Sequence, residues 1–243
     1  MKIIKLDAID STNSFLKDLA QNSALENFTI VVAKKQTNGR GQQESKWISE
    51  PHKNLTFSIF IRFKGLQINQ KKYLNFAVSL AIYDVLFEKK ISKISIKWPN
   101  DILSANKKIC GILIENTFYG DKIKNAILGI GLNVNQEVFS EYLNNVTSLK
   151  LETSTDYDLD DLLNDVLVEL QIKMKLLETK QFDILEKRYL EVLYKKNIPT
   201  MFKNSRDEIF MGIISGISND GKLQILLEDD SIEEFGIKEV TIL

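Results

Sequence analysis

Lys97-Trp98-Pro99-Asn100-Asp101 runs on through Ile102-Leu103 to Lys107-Lys108-Ile109-Cys110-Gly111-Ile112-Leu113-Ile114-Glu115. It sets a lysine, a carboxylate, a proline and a close-approach glycine between two apolar runs. Pro99 lacks an amide N–H and keeps the stretch out of any helix interior. Charged chemistry is thereby pressed against a rigid sheet, a combination that core packing alone does not explain.

Upstream, Ile94 and Ile96 lead into this stretch. Before them, Leu74, Ala77, Val78, Ala81, Ile82, Val85 and Leu86 fall at helical spacing and predict one apolar face of a long helix over Gln70–Glu88. Leu55 to Phe63 is apolar at every odd position, a period-two strand. Phe28 to Ala33 is a nearly continuous apolar run, which suggests a strand buried on both faces. Between them lies a long polar loop from Lys34 to Trp47, with the profile of a binding loop or lid. Ile3 to Ile9 reads as a first strand, and Asp10-Ser11-Thr12-Asn13 offers side-chain caps to a helix through Phe15, Leu16 and Leu19.

Downstream, Ile109–Ile114 and Ala126–Val134 read as strands, the second carrying Gly129 and Gly131 where a backbone or a ligand must come close. Two helices follow, through Leu159–Leu177 and Phe182–Leu193, as cover for the sheet. After Lys195 the pattern changes to short strands broken by Gly212, Gly216, Gly221 and Gly236, which predicts a small β-barrel or sandwich of the SH3 size class. The expected organisation is therefore an α/β catalytic domain over residues 1–195 and an all-β domain over 196–243.

Composition narrows the function. The chain has 243 residues, 44% hydrophobic and 27% charged, and 33 acidic against 32 basic residues leave a net charge of −1. That balance lacks the basic excess of a nucleic-acid-binding domain. One cysteine, Cys110, excludes an internal disulfide, and with one histidine, His52, a Cys/His zinc site cannot be assembled. Cys110 reads as a small buried hydrophobe, and no side chain is assigned to a metal. There is no signal-peptide core and no apolar run of membrane-spanning length, so the expected location is cytoplasmic.

Each polar constellation admits a plain reading and a sharper one. Gly39-Arg40-Gly41 is a surface turn, or a guanidinium on a backbone suited to phosphate or carboxylate. It is no dinucleotide fingerprint, since Glu44 stands where a third glycine would be, and the chain has no phosphate-binding loop of the common ATPase type. Lys108 is an edge lysine, or a point charge of the kind that phosphoryl and adenylyl transfer require. Asp101 is a turn residue, or a partner for a cation or an acceptor amine. Ser11, Thr12 and Asn13 cap a helix, or read a neutral polar ligand head. Trp47 anchors its loop, or stacks on a base.

Taken together and in order, Ser11-Thr12-Asn13, Gln36-Thr37-Asn38-Gly39-Arg40-Gly41 with Trp47, Lys97 to Asp101, Lys108 with Gly111 to Glu115, and Gly129 to Asn135 resemble the biotin protein ligase family, in its form without an N-terminal DNA-binding domain. The resemblance implies an α+β fold: a mixed β-sheet flanked by helices, of the class II aminoacyl-tRNA synthetase-like kind, with a small C-terminal SH3-like β-barrel. It also implies a two-step reaction. Biotin is activated by ATP with Mg²⁺ to biotinyl-5′-AMP, then passed to a lysine of a biotin carboxyl carrier protein, an acetyl-CoA carboxylase subunit or similar.

By the same resemblance, Lys108, Arg40 and Asp101 are the catalytic residues, with Asp101 positioning or deprotonating the incoming lysine. Ser11, Thr12, Asn13, Gln36, Gly39, Arg40, Lys108 and Gly111 would hold biotin. Arg40, Gly41, Trp47, Asn100, Lys108 and Asn133 would hold ATP and the adenylate. Relatives often carry further basic residues and a glycine after the Gly-Arg-Gly triplet. Here Gln42, Gln43, Glu44 and Ser45 stand instead, which predicts weaker retention of the adenylate. With a first strand beginning by Ile3, no helix-turn-helix domain is expected, nor specific DNA binding. The nearest rival is a lipoate or octanoate ligase; a non-catalytic biotin- or carrier-binding module would have no use for both Arg40 and Lys108.

Overall fold

The computed structural model describes residues 1–43, 45–140, 143 and 145–243, so Glu44 lies outside the described residues. Seven strands form one sheet: β1 (Lys2–Leu6), β2 (Thr29–Ala33), β3 (Leu55–Arg62), β4 (Ile94–Lys97), β5 (Asp101–Ser104), β6 (Lys107–Tyr119) and β7 (Lys122–Leu132). Their order is β1-β2-β3-β7-β6-β5-β4. The pair β1 and β2 runs parallel and every other neighbour is antiparallel, which makes the sheet mixed, as expected.

The alternation in β3 sends Leu55, Phe57, Ile59 and Ile61 into the main core, beneath helix α2 (Lys71–Glu88). The other face of β3 is buried too, although its residues include Thr56 and Ser58. Helix α1 (Thr12–Asn22) covers part of that face by packing Leu16 against Val31, Phe60 and Ile127. Ser11 caps α1, its hydroxyl accepting from the Ser14 amide, an interaction worth roughly 1 kcal/mol.

The helix expected over Gln70–Glu88 forms as α2, and it is buried on more than the one face that the spacing suggested: Phe76, Leu80 and Tyr83 are buried along with Leu74, Ala77 and Ala81. The reason lies in α4 (Leu159–Glu178) and α5 (Phe182–Glu191), which pack chiefly on α2. They were expected to cover the sheet; they cover the helix that covers it. A short α3 (Leu149–Thr153) precedes them.

Lys97 pairs with Asp101, so Trp98-Pro99-Asn100 is the turn of the β4–β5 hairpin. Asn100 fastens this turn to the next strand, donating from Nδ2 to the Ile112 carbonyl at 2.7 Å while its own carbonyl accepts from the Ile112 amide at 2.9 Å.

The C-terminal strands β8 (Pro199–Asn204), β9 (Ile209–Ile217), β10 (Leu223–Leu226), β11 (Ile232–Phe235) and β12 (Val240–Ile242) form an antiparallel sheet of order β11-β10-β9-β8-β12. Its two edges do not pair with each other among the described residues, so strand pairing gives an open sheet where a closed barrel was expected. Phe202, Ile214, Leu223 and Ile225 join the same apolar core as the main sheet. Trp98 Nε1 donates to the Gly221 carbonyl at 3.1 Å, tying the β4–β5 turn to this second sheet.

Candidate functional site

The register across β6, β7, β3 and β2 produces a bare strip on the α1 face of the sheet. Gly111 lies opposite Gly131, which lies opposite Thr56, which lies opposite Ala33; one row on, Leu113, Gly129, Ser58 and Val31 are aligned in the same way. Where α1 needs apolar contact the rows carry Val31, Phe60 and Ile127. Beside it they carry glycines and small polar residues, and a cleft of about 310 Å³ opens above them.

Four segments wall the cleft: the start of α1, the loop from Gln36 to Trp47, the β4–β5 turn, and the turn and strand from Ile237 to Ile242 in the second sheet. Ser11, Thr12, Asn13, Gln36, Arg40, Gly41, Trp47, Asn100, Asp101, Lys108 and Gly111 all line it. Of the residues singled out from sequence, Gly39 and Asn133 do not. Gly39 sits behind the wall: a Cβ there would come 2.8 Å from Gln36 Nε2 and collide with the Trp47 carbonyl, so glycine lets the loop close on itself. Asn133 is buried, donating from Nδ2 to the Thr147 carbonyl at 3.0 Å, with its backbone N–H on the Ile109 carbonyl.

At one end of the cleft the polar groups are neutral and linked. Gln36 Oε1 accepts from the Thr12 amide at 2.8 Å and lies 3.1 Å from the Thr12 hydroxyl. Ser58 Oγ is 2.7 Å from Thr12 Oγ1 and donates to Asn13 Oδ1 at 2.6 Å. Asn13 sits over Gly129, where any side chain would collide with it. Ser58 escaped the sequence reading; its signal was a serine at a position of β3 facing away from the apolar stripe, two residues from Thr56.

At the other end the groups are charged. Lys108 Nζ lies 2.7 Å from Asp101 Oδ1 and 5.8 Å from the centre of the Trp47 ring. The Trp47 indole rests on the glycine strip, in the space that a Gly131 side chain would occupy and 3.1 Å from where a Gly111 Cβ would stand. Its Nε1–H is shielded from solvent without a partner among the described residues. Arg40 turns away from Lys108 and pairs with Glu115 at 3.0 Å. Lys238, also unanticipated, crosses from the second sheet to donate to the Gln43 carbonyl at 2.7 Å. Cys110 is fully buried beneath the strip, and burial pushes its thiol well above the usual range, which removes it as a nucleophile.

Such a cleft can take an elongated ligand with a neutral hydrogen-bonding head at the α1 end and an anionic tail beside Lys108. Comparison with known proteins agrees in kind. The sequence model of the biotin/lipoate A/B protein ligase family matches residues 6–133, about half of the chain. The bifunctional ligase/repressor BirA of Bacillus subtilis is 36% identical over 135 residues, covering 56% of this chain and 41% of that protein. A biotin–acetyl-CoA-carboxylase ligase of Paracoccus denitrificans is 33% identical over 127 residues, 51% of each. The chain thus spans about half the length of these curated relatives, or less. Among solved structures, the biotin protein ligase of Aquifex aeolicus in complex with biotin and ATP superposes with a TM-score of 0.81 at 28% identity, covering 100% of this chain and 98% of that one.

Proposed function

The chain belongs to the biotin/lipoate A/B protein ligase family, and from that membership we propose that it is a biotin protein ligase, activating biotin with ATP and transferring it to a lysine of a biotin carboxyl carrier protein. The observation that carries this reading is the polarity of the cleft, neutral donors and acceptors at Ser11, Thr12, Asn13 and Gln36 and a lysine at Lys108, with a glycine strip between. Biotin has that polarity, a neutral ureido head joined by an apolar chain to a carboxylate.

In the first step a biotin carboxylate oxygen attacks the α-phosphorus of ATP, the bond to the bridging oxygen breaks, and pyrophosphate leaves. Two anions must be brought together, and Lys108 offsets their repulsion from one side while the loop brings Arg40 as a second cation. Gly111 and Gly131 let the reacting groups approach the sheet, with Trp47 as a face for the adenine. In the second step the carrier lysine amine attacks the acyl carbon, the acyl–phosphate bond breaks, and AMP leaves. Asp101 faces the incoming amine in this reading and takes up or orients its proton. Asn100 holds the turn that carries Asp101. Gly39 and Asn133 act indirectly, by shaping the loop and by anchoring the segment around Thr147.

Mg²⁺ accompanies ATP in reactions of this class and neutralises triphosphate charge when bound. Among the described residues, Asp101 is the one carboxylate lining the cleft, and no group of three His, Cys, Asp or Glu residues that could hold a metal is found. Among the described residues this donor set does not build a resident metal cage. We read the C-terminal sheet as the family's SH3-like domain, with residues 1–195 and 196–243 as the two domains. The carrier is read as an acetyl-CoA carboxylase subunit or similar, following the Paracoccus relative's name. A cytoplasmic setting fits a reaction that consumes ATP.

The test is product analysis. Incubation with biotin, ATP and a carrier domain is expected to add one biotinyl group to one carrier lysine and to release AMP in equal amount. Release of ADP, or an unmodified carrier, contradicts the proposal.

A further inference from the structure

Arg40 is one of two cations on which the proposed chemistry rests, yet its guanidinium is held elsewhere. Nη2 lies 3.0 Å from Glu115 Oε1, and Nη1 lies 3.4 Å from Glu115 Oε2 and 3.2 Å from Ser14 Oγ. Glu115 shares a face of β6 with Gly111 and is four residues further along. At 3.2–3.4 Å per residue, its anchor is about 13 Å from the glycine strip beside Lys108. Arg40 is therefore parked toward α1.

Glu115 is itself fixed by several groups. Asn13 Nδ2 donates to Oε2 at 2.9 Å, and Asn13 is in turn held by Ser58 at the head end of the cleft; Lys17 Nζ stands 3.9 Å from Oε1. The carboxylate is thus oriented before Arg40 reaches it, and it presents both oxygens to the guanidinium. A phosphate or carboxylate arriving in the cleft offers Arg40 the same forked geometry. Two anions then compete for one cation.

We propose that Glu115 is the positioning residue of Arg40, holding the guanidinium at the α1 edge of the cleft so that an anionic ligand must exchange with the Glu115 carboxylate to engage it. This rests on the reading of the cleft as a site for an acid and a triphosphate. The ion pair is partly open to solvent, Arg40 being 41% and Glu115 21% exposed, so exchange is easy and the penalty on ligand affinity is small. Glu115 is therefore a residue whose neutralisation improves anion binding.

Calorimetric titration of the full chain with tripolyphosphate, and separately with biotinol, in which the carboxylate of biotin is replaced by an alcohol, tests this. Glu115→Gln is expected to bind tripolyphosphate about three- to fivefold more tightly than the parent, an effect of the size of one partly exposed ion pair. Biotinol affinity stays the same, and the gain vanishes in an Arg40→Ala background. Should Glu115→Gln fail to fold, Glu115→Asp, which keeps the charge but shortens its reach, is expected to give a smaller gain in the same direction. Unchanged, weaker or undetectable tripolyphosphate binding overturns the proposal. So does a gain that persists without Arg40, or a loss of affinity for both ligands, the mark of a merely structural role. If biotinol binds neither protein while tripolyphosphate behaves as stated, the reading of the head pocket fails and the role of Glu115 stands.

Discussion

Gly111 and Gly131 stand opposite each other in β6 and β7, and the Trp47 indole lies across the gap left by their missing side chains. The two positions are unequal. A methyl group at Gly131 collides with the rigid indole, whereas one at Gly111 meets Lys108 Nζ at 3.2 Å, the mobile end of a flexible chain, and the indole edge at 3.1 Å. Gly131→Ala is accordingly expected to move Trp47, costing about 1–3 kcal/mol in overpacking. Tryptophan fluorescence in a Trp98→Phe background, which leaves Trp47 as the one indole, should report the displacement, and nucleotide affinity should fall at least tenfold. Gly111→Ala should do less on both counts.

Lys108 and Asp101 form a 2.7 Å pair, so a change at either is felt by the other. Lys108→Ala removes the charge beside the reacting carboxylate and is expected to cost at least ~2.7–4 kcal/mol in adenylate formation, the scale of one preorganised stabilising group. Asp101→Asn keeps the size of the side chain and leaves Lys108 charged. It should slow transfer to the carrier more than it slows adenylate formation, and single-turnover assays of the two steps separate them.

Asn133 is buried and its amide secures the Thr147 carbonyl. Asn133→Ala strands that carbonyl, and the expected result is a loss of about 1–3 kcal/mol of stability. Denaturant unfolding measures it. The affinity of the folded fraction for biotin should be unchanged, since Asn133 lies outside the cleft wall.

Cys110 is fully buried and its thiol is held well above the usual range. Alkylation by iodoacetamide at mildly alkaline pH should be slow in the folded protein and rapid after denaturation, because deprotonation at that position is suppressed. Intact-mass measurement before and after unfolding gives the answer.

Long elements were legible in the sequence because they carry enough periods to average over exceptions. The helices α1, α2, α4 and α5 and the strands β2 and β3 stand close to where the spacing of their apolar residues put them, whereas β6 and β7 extend to Tyr119 and from Lys122, several residues beyond the apolar runs Ile109–Ile114 and Ala126–Val134 that marked them. Two kinds of feature were hidden. The short β5 and α3 contain no full pattern, whereas the five-residue β2 was marked by its unbroken apolar run. Layering also has no local signature: nothing in α4 says that it will rest on α2 and leave the sheet to it. The same division holds at the site. Residues with unusual backbone or charge, from Ser11 to Gly111, drew notice individually. Ser58 did not, because a serine in a strand looks ordinary until the register sets it beneath Thr12 and Asn13. Nor could sequence reveal that Arg40, expected to serve the reaction together with Lys108, is held by Glu115. That contact depends on a side-chain conformation, which spacing does not encode.

The most direct test of the central claim is ATP–pyrophosphate exchange with biotin, lipoate and octanoate offered separately. Exchange reports reversible formation of an acyl adenylate and nothing later, so it isolates the step that Lys108 serves. Robust exchange with biotin, absent with the other two acids and lost in Lys108→Ala, is the predicted result. Exchange with lipoate or octanoate alone, or near-normal exchange in Lys108→Ala, would contradict the account.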